Sequence, residues 1–65
     1  MIPEIGNRIE LTAPMVDDPD PIEVGAQGTV TWVGELHEYV QLGVKWDSGR
    51  TLGLVAPPDE WKVLS

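Results

Sequence analysis

Apolar residues in this chain alternate with polar ones in short runs. A cluster of glycine, proline or aspartate cuts off each run before it reaches helical length. Six prolines and seven glycines are spread over the 65 residues, and no stretch keeps a sustained helical repeat. The runs read as strands. In Arg8-Ile9-Glu10-Leu11-Thr12, Ile9 and Leu11 share one face and Pro14 marks the exit. Gly28-Thr29-Val30-Thr31-Trp32-Val33 is the clearest strand, with Val30 and Trp32 expected on one face and Gly34 at its end. From Tyr39 to Trp46, Val40, Leu42, Val44 and Trp46 point one way, and Tyr39, Gln41, Gly43 and Lys45 the other.

Asp47-Ser48-Gly49 reads as a hairpin turn. Thr51 to Val55 is the return strand, with Leu52 and Leu54 inward. Ala56-Pro57-Pro58-Asp59-Glu60 interrupts pairing and suits a short 3₁₀ turn, and Trp61 to Leu64 is a last short strand. The expected fold is all-β: a five-stranded SH3-like small barrel, one domain over residues 1–65. It carries a long early acidic loop and a 3₁₀ turn before the last strand. Closing such a sheet removes its exposed edges, which helps a chain this short.

A domain of 65 residues buries only about 60% of the surface its unfolded chain exposes, so disulfides, a metal or self-association often support it. Without cysteine there is no disulfide and no thiolate metal site, and His37 alone anchors no metal, so no cofactor is expected. The N-terminal residues lack the basic and apolar regions of a signal peptide, and no apolar run approaches membrane-spanning length. A cytoplasmic location is the expectation. Eleven acidic residues against four basic ones give a formal net charge of −7. That balance repels phosphate backbones, so a basic protein partner or self-association is expected in preference to nucleic acid.

Val24-Gly25-Ala26-Gln27-Gly28-Thr29-Val30 resembles the glycine-punctuated start of a strand in KOW-type and related SH3-like barrels. Val44-Lys45-Trp46-Asp47-Ser48-Gly49-Arg50-Thr51-Leu52 resembles a hairpin found in several of them. With Asp17-Asp18-Pro19-Asp20-Pro21, the chain from Gly6 to Leu64 resembles a short domain-of-unknown-function family, family 4314, carried by bacteria and their phages. The resemblance implies the fold and a bacterial or phage origin, and no activity. KOW domains bind RNA and ribosomal or polymerase partners; this chain is acidic where they tend to be basic.

Candidate binding residues fall in two groups. Asp17, Asp18, Asp20 and Glu23 lie in a loop stiffened by Pro19 and Pro21, which suits an acidic docking surface. Their spacing does not match a calcium loop. Trp32, Tyr39 and Trp61 are the aromatic candidates, because tryptophan and tyrosine dominate interface hot spots. Lys45 and Arg50 flank the hairpin turn as candidate anion contacts, or as ion-pair partners of Asp47 or Glu10. No catalytic set is present at motif spacing, since Ser48 and Ser65 lack a base and no helix follows Gly25 and Gly28. The leading expectation is a non-enzymatic interaction module that docks a protein through the acidic loop and adjacent aromatics. The alternatives are an oligomeric nucleotide or small-molecule binder of sponge type and a structural phage subunit.

Overall fold

A computed structural model describes residues 2–16 and 18–65. Five antiparallel strands form one sheet: β1 (Arg8–Leu11), β2 (Gln27–Glu35), β3 (Val40–Trp46), β4 (Leu54–Ala56) and β5 (Trp61–Val63). The order across the sheet is β4-β3-β2-β1-β5, so β1 to β4 form a meander and β5 returns to pair with β1. The fold is all-β, as the alternation implies. Among the described residues no helix is long and apolar enough to cross a membrane.

Alternation places one face of each strand inward. Ile9 and Leu11 of β1, Val30 of β2, Leu42, Val44 and Trp46 of β3, and Leu54 of β4 form a single buried cluster, with Trp61 and Val63 of β5 packed against it. One sheet can bring all five strands to one cluster only by curving around it. The end strands β4 and β5 have no ladder between them among the described residues. Met15 and Ile22 from the long loop cover the cluster from outside the strands. Trp46 is the largest buried side chain, and its indole N–H donates to the Leu52 carbonyl at 2.9 Å.

Several expectations are corrected. Val30 and Trp32 do not share a face, because a β-bulge lies between them. Val30 pairs with Val44, but Trp32 pairs with Gly43, leaving Thr31 as the extra residue. The inserted residue shifts the alternation by one, so Trp32 points outward. β2 also runs on through Gly34 to Glu35. The return strand starts late: Thr51 makes an isolated bridge to Lys45, Leu52 lies in the connection, and β4 begins only at Leu54.

The 3₁₀ turn before β5 does not form. Its first bond would run from the residue-58 amide to the Val55 carbonyl, and Pro58 has no N–H to give. The Asp59 N–H takes that carbonyl instead, at 2.9 Å, and the Asp59 Oδ2 accepts the Val55 N–H at 2.9 Å. Val55 is the middle residue of β4, and Asp59 thus engages both of its outward backbone groups. β5 has no such cover. Leu64 donates to Arg8 and Thr12 to Glu60, so β5 pairs with β1 at alternate residues and turns the backbone groups of Trp61 and Val63 to its free edge.

Polar residues organise the outer face of the sheet. The Arg8 guanidinium donates in parallel to Asp47 Oδ1 at 2.7 Å and Oδ2 at 2.5 Å, and also to Thr29 Oγ1 at 3.1 Å. Lys62 pairs with Glu10 at 3.6 Å. Asp47 and Glu10, the carboxylates considered for Lys45 and Arg50, are therefore held by other cations. The hydrogen bond from Arg8 holds the Asp47 carboxyl below the usual carboxylate range.

This shift has a sign that can be tested. A carboxyl whose folded pKa is depressed stabilises above its unfolded value of about 4. The contribution is lost as pH falls through the folded value. Asp47→Asn should therefore lower the urea midpoint at pH 7, and the gap to the wild type should close on acidification below about pH 4. A gap that stays constant down to low pH would show that the Arg8 pair does not stabilise the fold.

Candidate functional site

The bulge at Thr31 creates the most distinctive surface of the molecule. Beyond it, Trp32, Gly34 and Leu36 follow one another on the outer side of the hairpin, opposite Gly43, Gln41 and Tyr39. The indole of Trp32 lies flat along the strand. A Cβ placed on Gly34 would come within 2.5 Å of its far ring edge, and a Cβ on Gly43 would come within 3.1 Å of the Trp32 Cβ. Gly34 thus leaves the space in which the aromatic ring rests, and Gly43 leaves room for the Trp32 Cβ across the ladder. Trp32 remains 51% exposed, Leu36 47% and Tyr39 40%.

Leu36 and Tyr39 close the hairpin, with the Leu36 N–H donating to the Tyr39 carbonyl at 2.9 Å across His37 and Glu38. All three apolar side chains therefore project from one face of one hairpin end. Around the strand edge, Ile2, Pro3, Glu4 and Ile5 of the N-terminal arm meet Val33 and Glu35 in an open groove of about 440 Å³. The arm is held there by two backbone bonds: the Gly6 N–H donates to the Val30 carbonyl, and the Val30 N–H to the Asn7 carbonyl.

The acidic loop sits at the other end of β2, between the close of β1 and the start of β2, and is partly structural. Met15 and Ile22 anchor it in the core. Asp18 Oδ1 accepts the Asp20 N–H at 2.9 Å. Arg50 reaches across from the β3–β4 connection, donating to the Asp20 carbonyl at 2.7 Å and the Pro21 carbonyl at 3.3 Å, and pairing with the Asp20 carboxylate at 3.4 Å. Glu23 is exposed, with its carbonyl accepting the Ala26 N–H. Asp17 lies outside the described residues.

The candidates therefore separate. Trp32 and Tyr39 come together, whereas Asp18, Asp20 and Glu23 lie a strand length away. Trp61 pairs with Leu11 on the core side and is half-buried against the cluster, at the loop end of the sheet. Lys45 projects outward between Thr29 and Thr51, while Arg50 is drawn to the loop, so the two do not converge on an anion. Leu36 belongs to the hairpin surface, and as a single apolar residue in a polar connection it carries no signal of that in the sequence. Among the described residues no three His, Asp or Glu side chains gather to hold a metal.

Residues 3–64 match the model of the family described as domain of unknown function (DUF4314). The chain belongs to that family. The resemblance carried by the aspartate-proline loop, the glycine pair and the Trp-Asp-Ser-Gly turn thus holds at the level of family. No match is found among curated proteins or solved structures. In this DUF4314 domain the matched region takes in the whole sheet, the acidic loop and the Trp32 hairpin.

Proposed function

We propose that the chain is a non-enzymatic interaction module that docks a protein partner on the Trp32, Leu36 and Tyr39 face of its β2–β3 hairpin. One observation carries this reading: the indole of Trp32 is bedded on Gly34, yet half its surface faces solvent. Holding a large ring in place while leaving it uncovered lowers the entropy lost when a partner covers it. Tryptophan and tyrosine are also the residues that concentrate interface energy. A cytoplasmic setting in bacteria or phage-infected cells, and an SH3-like barrel as the parent architecture, go with this proposal. The strand order with its long early loop supports the architecture.

The acidic loop enters the proposal as scaffold, because Arg50, Met15 and Ile22 tie it down. The nucleotide-binding alternative loses its anion contact, since Lys45 and Arg50 diverge. A pull-down from bacterial lysate separates the surfaces. Trp32→Ala should lose the captured partner, and so should Gly34→Ala, whose added methyl group lifts the indole off the strand while the fold persists. Asp18→Lys/Asp20→Lys should retain it. Capture that survives both hairpin changes and fails on the loop reversal would return the docking surface to the loop.

A further inference from the structure

Charge is distributed unevenly around the Trp32 face. Of the four cationic side chains, Arg8 is committed to Asp47, Arg50 to Asp20 and Lys62 to Glu10. Lys45, the fourth, stands opposite Thr29 and Thr51, on the part of the sheet before the bulge. Apart from the His37 imidazole in the turn, the acidic and basic side chains of the hairpin end among the described residues are carboxylates. Glu38 lies in the turn itself, and Glu35, opposite the core-facing Val40, sits on the reverse side of the hairpin, where Glu4 joins it along the groove beside Ile2, Ile5 and Val33. None of these three forms an ion pair among the described residues.

An exposed indole face, an aliphatic neighbour and free carboxylates at the same hairpin end together specify one kind of occupant. Resting on the docking reading above, we infer that the partner presents a basic, extended segment whose arginine or lysine lies over the Trp32 ring, drawn by the negative field of Glu38 in the turn and Glu35 on the reverse side of the same hairpin end. The ring is the best of the aromatic side chains for a cation, and guanidinium groups stack on it while keeping their hydrogen-bond donors free. The cation needs no buried counter-charge, because the carboxylates stand apart from the ring, where they stay hydrated. They steer the segment in and choose its sign, while the ring supplies the contact. A nucleic acid would bring phosphates into this field and be repelled. A second copy of this chain would bring a further −7 of formal charge.

The inference can be tested with a fluorescein-labelled octapeptide alternating arginine and leucine, titrated by anisotropy at 0.15 M salt. A matched peptide carries citrulline, the same shape without charge, in place of each arginine. Wild type should bind the arginine peptide, and the citrulline peptide should bind at least about three-fold and up to about thirty-fold more weakly. Trp32→Leu should weaken arginine-peptide binding by a similar factor, and Glu35→Gln/Glu38→Gln should weaken it and flatten its salt dependence.

Equal binding of the two peptides to wild type, with both weakened by Trp32→Leu, would overturn the basic occupant while the docking face stands. Arginine-peptide binding indifferent to Trp32→Leu would show bulk charge attraction and overturn the inference. So would an absence of binding at millimolar peptide, with the docking face then judged by the Trp32→Ala pull-down.

Discussion

Trp46→Ala is expected to leave most of the chain unfolded at 25 °C. Trp46 is 1% exposed and sits at the end of β3 among Ile9, Leu11, Val30 and Leu54. Truncating a buried tryptophan to alanine costs about 3–5 kcal/mol in transfer and cavity terms. It also removes the donor to the Leu52 carbonyl. A single small core rarely supplies more than about 3–5 kcal/mol of net stability, and no disulfide adds to it here. The loss thus matches the whole. Amide signals dispersed in a wild-type nitrogen–proton spectrum should collapse in Trp46→Ala, whereas Trp32→Ala should keep them. Trp46→Phe, which retains a ring but no donor, should stay folded with a lower urea midpoint. A dispersed spectrum for Trp46→Ala would mean that the core closes around the lost indole.

Gly28→Ala is the second large effect, and it comes from too much volume. Gly28 faces the core in the middle of the sheet, paired with Ile9 on one side and Trp46 on the other. A Cβ there would stand 2.7 Å from Val44 Cγ1, 2.8 Å from the Lys45 carbonyl oxygen and 3.1 Å from the Trp46 Cα. Val44 is itself buried, and the other two atoms belong to the backbone of β3. Neither neighbour can swing away, so β2 and β3 must separate. Overpacking of this kind costs about 1–3 kcal/mol. Urea unfolding followed by far-ultraviolet dichroism should show a lower midpoint with the slope unchanged. A midpoint at or above that of wild type would show that the β2–β3 ladder yields at this position. Gly34 makes the useful contrast, because its hindering atoms are the movable end of an exposed side chain.

The strand pattern was legible wherever alternation was unbroken. Leu42, Val44 and Trp46 are buried as their spacing implies, and Ile9 and Leu11 likewise. Trp32 went to the wrong face because a bulge leaves no trace in the residue that is inserted. Thr31 fits an alternating strand as well as any threonine. The available signal was indirect: Gly34 and Gly43 sit inside strand-like runs, and an isolated glycine in such a run points to a bulge or a close approach. Met15 and Ile22 were hidden for a different reason. Single apolar residues within an acidic, proline-rich loop carry no periodicity, and only the fold shows that they reach the core. The partners of Arg8 and Arg50 depend on which strands lie side by side. Thirty-nine residues separate Arg8 from Asp47, and local spacing contains nothing of that.

Asp59 bears on what the molecule cannot build. Ribbon growth by edge-to-edge pairing needs two open edges on every subunit, one to accept the next copy and one to pass the chain of bonds onward. Here the Asp59 backbone and carboxylate occupy both outward groups of Val55, so the middle of β4 offers no pair to a newcomer. A ribbon that used β4 and β5 as its two edges is therefore blocked on the β4 side. A single residue at the turn closes that edge, and it does so without any change to the core.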